Sequence, residues 1–166
     1  PSFVLYTGTE DPDQKEILRN IYNGDWDTIP NSIRERLQKN HQNNNFGEVI
    51  KIFMITSSGA EGITLKNTRF VHIMEPYWHP VRTEQVIGRA NRINSHINLN
   101  PDYRTVKVFK YLMVFSNIQL YGDPNATNEE DKKPKVSTTL INKDVSKIDK
   151  NTPITTDEAL FEISNI

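Results

Sequence analysis

A chain of 166 residues, 36% hydrophobic and 25% charged, has apolar material for one domain-sized core and little for a second. It contains no cysteine, which excludes a disulfide framework and thiolate metal sites and fits a reducing compartment; no apolar run approaches the length of a membrane span, and no signal segment opens the chain. The formal net charge is −1, yet residues 62–116 hold 8 Lys and Arg against 3 Asp and Glu, a local excess suited to phosphate partners, while residues 117–166 hold 6 against 9.

The chain opens at Pro1 rather than Met, as a piece of something longer would. Ser2 to Tyr6 reads as a strand of aliphatic and aromatic residues ending at Gly8. Asp11, with Pro12 and Gln14 at the first and third helical places, is a helix cap signature, and Ile17, Leu18, Ile21 and Tyr22 continue it as an apolar stripe. Residues 23–28 break that pattern before Pro30 and the Ser32 to Glu35 spacing predict a second short helix, with Ile33 and Leu37 as its apolar positions. Asn40 to Gly47 is expected to be a polar loop, its asparagines a matter of genomic base bias or an exposed turn rather than a site. The apolar run from Val49 to Ile55 predicts a buried parallel strand.

Thr56, Ser57, Ser58, Gly59 and Gly62 follow that run. A turn rich in hydroxyls and glycine at a strand's carboxyl end lets backbone N–H groups approach phosphates, although the same composition also makes a plain flexible turn. Phe70 to Met74 predicts the next strand, and the segment through Arg92 predicts a helix carrying Gln85, Arg89 and Arg92 at i, i+4 and i+7, on one face. Two planar guanidiniums at fixed spacing suit a polyanion; taken alone, QxxGRxxR fits a solvated helix face equally well. Ser95 to Tyr103 is expected to be a loop and Val106 to Phe115 a last strand. From Asn117 the polar composition predicts a largely flexible segment to Pro153, after which Thr156, Asp157 and Glu158 open a helix.

Taken together, SSGAEGITLKN, VHIMEPYWHP and EQVIGRANRINSH resemble motifs V and VI of superfamily 2 helicases. Within that superfamily the resemblance is to the Swi/Snf-like group, through Trp78 and Pro80, and more closely to the helicase-like transcription ATPases of large cytoplasmic DNA viruses, poxvirus type included. It implies that Arg89 and Arg92 are arginine fingers and that Gln85, Gly62 and Gly88 lie at the nucleotide. It also implies that Thr56, Ser57, Ser58 and Gly59 contact nucleic-acid backbone. Thr64 stands where relatives often carry Asp or Asn.

The expected fold is α/β, a RecA-like lobe at residues 1–116 with a parallel-rich sheet flanked by helices, and a polar tail at 117–166. The expected function is the C-terminal lobe of an ATP-dependent nucleic-acid helicase or translocase, sharing its ATP site with an N-terminal lobe of the same polypeptide. That other lobe is expected to hold most of the ATP and Mg contacts. The 166 residues contain no GxxxxGK[ST] loop and no credible carboxylate box, so this chain alone is expected to be inactive. The resemblance implies nucleic acid as partner, DNA ahead of RNA, transcription machinery as a further partner, no membrane, and a cytoplasmic location, in the host cytoplasm or virion, with the nucleus as the lesser alternative. The alternative is a non-enzymatic interaction module that keeps the fold. Asp157-Glu158-Ala159-Leu160 is rejected as a DExx box because no apolar strand precedes it, and the four scattered histidines have no metal spacing.

Overall fold

Asp11 caps the first helix as its spacing predicts: its carboxylate accepts from the Asp13 and Gln14 amides at 3.0 and 3.2 Å, and Pro12 takes the first helical position. The helix α1 (Pro12–Asn23) stops at Gly24, whose left-handed φ of 76° turns the chain away. Before it lies β1 (Phe3–Tyr6), and after it come α2 (Asn31–Gln38), β2 (Ile52–Ile55), β3 (Phe70–Ile73), α3 (Pro80–Ala90), β4 (Lys107–Lys110), α4 (Asn117–Tyr121) and α5 (Thr156–Ser164). These elements come from a computed structural model that describes residues 2–56, 62–75, 77, 79–136 and 154–164. Pro30 rather than Ser32 precedes α2, and no side chain caps it.

The architecture is α/β with short parallel strand pairs, consistent with a RecA-like fold. β1 and β2 are parallel, with Phe3 opposite Ile52 and Tyr6 opposite Ile55. β3 pairs with β4, and the bonds from Lys107 N to Arg69 O and from Tyr111 N to Ile73 O advance together along both strands, so this pair is parallel too. Two compact units make up the chain: Pro1–Val71 with Glu84–Val108, and His72–Thr83 with Phe109–Ile166.

In the first unit the core gathers Val4, Ile21, Trp26, Ile29 and Ile50, with Ile17, Leu18, Ile33 and Leu37 packed on it from the two helices. The segment from Val49 is less strand-like than its apolar run predicts. Only Ile52–Ile55 is extended in the ladder, and Ile52 and Met54 remain 46% and 41% exposed beside Phe3 and Leu5 on the opposite strand. The strand pair thus buries one face, as alternation rather than a continuous run would require.

Asn44 reverses the expectation for the Asn-rich loop. It is buried, donates to Tyr22 O (2.8 Å) and Ile50 O (3.1 Å), and accepts from the Val49 and Ile50 amides at 2.8 and 2.9 Å. One amide side chain satisfies four backbone groups that no ladder reaches.

In the second unit β4 ends early. Tyr111 N still bonds Ile73 O, but Met113 is held by α5: its amide donates to Asp157 (2.9 Å) and its carbonyl accepts from the Thr155 hydroxyl (2.5 Å). Glu158 accepts from the Thr155 amide at 2.8 Å, so both acids of the rejected DExx look-alike serve the helix start. His72 of β3 bonds through Nδ1 to the hydroxyl of Tyr111, just past the end of β4 (2.8 Å). Of the tail, α4 and α5 are formed, and residues 137–153 of the predicted flexible segment lie outside the described residues.

Trp26 is 4% exposed and donates from its indole to Ile21 O at 3.1 Å, whereas Leu5 is 53% exposed. Trp26→Ala should therefore cost about 3–5 kcal/mol in chemical denaturation and Leu5→Ala under about 1 kcal/mol. Equal costs would overturn this placement of the core.

Burial pushes the Tyr22 phenol above its ordinary value, and its hydrogen bond with Thr68 pulls it part of the way back. The folded chain thus holds this proton more tightly than the unfolded chain. The stabilisation is complete below about pH 10 and is lost as pH rises through the folded value. Denaturation midpoints should fall between about pH 9 and 11 more steeply for the wild type than for Tyr22→Phe. Parallel curves would assign the loss to other groups.

Candidate functional site

The site is built by the residues that leave the turn after β2. Gly62 has φ 73°, and an added Cβ would meet nothing within 4 Å, so its glycine answers a backbone conformation and not a lack of space. Ile63 and Leu65 then enter the core beside Tyr6, at 3% and 6% exposure, and alternation turns Thr64 the other way. The buried amide of Asn23 fixes this strand-like stretch from beneath, donating to Thr64 O (3.0 Å) and accepting from Lys66 N (2.8 Å). Lys66 closes the arrangement on Asp25 at 2.7 Å.

α3 meets the stretch with its last turn. The Leu65 amide donates to Arg89 O (3.0 Å), and the Asn67 amide donates to Ser95 O (2.9 Å). The Ser95 hydroxyl reaches Ala90 O at 3.0 Å and His96 Nδ1 at 2.7 Å, and the buried His96 turns Nε2 to Thr68 O at 2.8 Å. A carbonyl only accepts, so Nε2 carries the proton.

This arrangement corrects one expectation. The helix ends at Ala90, so Arg92 does not share a helical face with Gln85 and Arg89. Asn94, at φ 62°, and the Ser95 hydroxyl on Ala90 O turn the chain back. Arg92 reaches the same neighbourhood by another route: its Nη1 donates to Thr64 Oγ1 at 2.7 Å. Arg89 is half-buried, and its guanidinium has no hydrogen-bond or carboxylate partner among the described residues. Gln85 is exposed, and a Cβ on Gly88 would meet nothing within 4 Å.

Thr56 lies at the end of β2, its amide donating to Tyr6 O at 3.3 Å. Ser57, Ser58 and Gly59 lie outside the described residues, as does Trp78. Sequence reasoning missed Thr64 as the partner of Arg92 and Asn23 as the clamp beneath it. The signal for Thr64 was its place between two apolar residues; for Asn23, a distant amide, there was none. Among the described residues no three His, Asp or Glu side chains cluster to hold a metal ion.

Arg92 and Lys66 are thus each held by a 2.7 Å bond, to Thr64 and to Asp25, while Arg89 keeps its donors unused among the described residues. Residues 27–94 match the helicase conserved C-terminal domain family, a span that includes Gly62, Thr64, Gln85, Arg89 and Arg92. The chain is 45% identical over 84 residues to the termination factor NPH-I homolog of African swine fever virus, a match covering 51% of this chain and 12% of that protein. It is 36% identical over 121 residues to a putative ATP-dependent RNA helicase of Acanthamoeba polyphaga mimivirus, covering 73% of this chain and 18% of that one. To another putative ATP-dependent RNA helicase of the same virus it is 43% identical over 75 residues, covering 45% and 17%. The chain thus spans less than a fifth of the length of each of these relatives. This match and these relatives are consistent with the C-terminal lobe of a viral superfamily 2 helicase.

Proposed function

We propose that the chain is the second lobe of an ATP-dependent nucleic-acid helicase or translocase, completing an ATP site whose other half lies on an N-terminal lobe of the same polypeptide. The observation that carries this reading is the half-buried Arg89 guanidinium, with no partner among the described residues, beside an Arg92 that Thr64 steers. A half-buried guanidinium whose donors are not taken up by the described residues is available to phosphate oxygens, and a nucleotide would supply them.

In this reading ATP supplies the phosphoryl group that is transferred. Arg89 and Arg92 place positive charge where negative charge builds up on its oxygens in the transition state. Gly62 and Gly88 leave room beside those charges for the nucleotide, and Gln85 offers an amide at the same edge. In the same reading Mg is held mainly by the other lobe. Thr56, with Ser57, Ser58 and Gly59, would contact nucleic-acid backbone. The relatives named as RNA helicases favour RNA as strongly as the resemblance favours DNA, so the substrate class is nucleic acid.

The isolated 166 residues should not turn over ATP. In the full polypeptide Arg89→Ala and Arg92→Ala should each lower turnover by about 10³, equivalent to about 4 kcal/mol of barrier, with nucleotide binding and melting temperature near wild type. Normal turnover in both variants would sink the reading and leave the lobe as an interaction module. Thr64→Val should lower turnover without changing the melting temperature, because Arg92 loses its guide, and Thr64→Ser should restore it. If the serine variant is as slow as the valine variant, the hydroxyl is not what positions Arg92.

A further inference from the structure

Beside the site just described, the first unit carries a second group that its reading leaves unused. The Arg69 guanidinium lies over three rings, 5.0 Å from the centroid of Phe46, 5.6 Å from Phe70 and 5.7 Å from Tyr103. Phe46 and Tyr103 meet edge to face, with centroids 5.5 Å apart and planes at 89°. An arginine among aromatic rings is frequently no more than packing, but packing hides the rings, and here Phe46 and Tyr103 remain 48% and 47% exposed.

Their exposure does not come from loose mountings. Phe46 follows Asn44, whose amide makes four backbone bonds, and Asn45, whose side chain accepts from Asn67 at 2.9 Å. Tyr103 closes a 3₁₀ turn capped by Asn100, and Arg104 next to it donates to Leu99 O and Ile97 O at 2.8 and 3.1 Å. Arg69 is fixed by its own carbonyl, which accepts from Lys107 N at 2.8 Å. The guanidinium itself has no hydrogen-bond or carboxylate partner among the described residues, and the carboxylate of Glu48 is taken up by the Phe46 amide. Half-exposed rings held at fixed positions, joined to a planar cation with unused donors, present both surface for stacking and donors for an acceptor.

We propose that Phe46, Arg69 and Tyr103 form a stacking site for a base of single-stranded nucleic acid. A base offers the two things this group lacks: a π face for the rings, and acceptors on its edge or neighbouring phosphate for the guanidinium. The excess of 8 Lys and Arg over 3 Asp and Glu in residues 62–116 favours a polyanionic strand over an acid-poor peptide. Every base has a π face, so the site should show little sequence preference. The inference rests on nucleic acid being the partner, as proposed above, but uses none of the residues assigned there.

The test is anisotropy titration of the 166-residue chain with a short labelled oligothymidine and with an abasic strand of equal length. Phe46→Ala and Tyr103→Ala should each weaken oligothymidine binding about 10-fold and leave abasic binding unchanged, while Tyr103→Trp binds like wild type. Phe46→Leu keeps the apolar bulk without the π face and should be as weak as Phe46→Ala, with an unchanged melting temperature. Arg69→Ala should also make the affinity less dependent on salt, which the ring variants should not. If wild type binds and the ring variants bind equally well, or if they lose the abasic strand in the same proportion, this site is refuted and the nucleic-acid reading stands. If wild type binds neither strand, both fall together.

Discussion

The hydrogen bond from the Leu65 amide to the Arg89 carbonyl is the constraint on which the candidate site depends. It joins a stretch seated in the core by Ile63 and Leu65 to the last turn of α3. Asn23 holds that stretch from the end of α1, so three elements far apart in the chain meet within a few residues. A backbone bond of this kind adds only about 1 kcal/mol to stability. Its larger effect is on geometry: the carbonyl of Arg89 cannot move without moving Leu65, and Leu65 cannot move without disturbing the core. Thr64, between the two buried residues, is then presented at a fixed height to Arg92.

What was legible in the sequence was local. The Asp11 cap, the apolar stripe of α1 and the order of strands and helices rest on neighbours within a turn or two, and they formed where the residues dictate. What was not legible was set by distant partners. Reading Gln85, Arg89 and Arg92 at i, i+4 and i+7 assumed that the helix continues to Arg92, while the Ser95 hydroxyl on Ala90 O and the left-handed Asn94 end it at Ala90. Asn followed by Ser is a stop signal in hindsight, yet a weak one beside an intact motif.

The asparagines show the same limit from the other side. A run of Asn reads as a solvated turn because nothing in a single sequence marks which amide will be buried. Asn44 is buried because residues 49 and 50 leave their amides outside any ladder, and a side chain carrying both donor and acceptor can take the place of a strand. Its neighbours Asn45 and Phe46 then inherit fixed positions they would lack in a free loop. The polar loop is thus a bracket, and the surface it presents is as well placed as one on a helix.

Thr64 sharpens the contrast between the two arginines. The resemblance puts Asp or Asn at this position in many relatives, and a carboxylate 2.7 Å from a guanidinium would cancel much of the charge that an arginine finger brings. A hydroxyl accepts one N–H and leaves the charge and the remaining donors intact. The energy of such an exposed bond is small, about 1 kcal/mol or less, so it contributes little to holding the fold. Its consequence is entropic. It removes rotamers from a long side chain, a cost that in the proposed role would otherwise fall on binding or on the transition state. Arg89, without such a guide, is restrained instead by its half-burial at the end of α3. The two cations are therefore restrained by different means, one by a neighbour's hydroxyl and one by packing, and each can be loosened without touching the other.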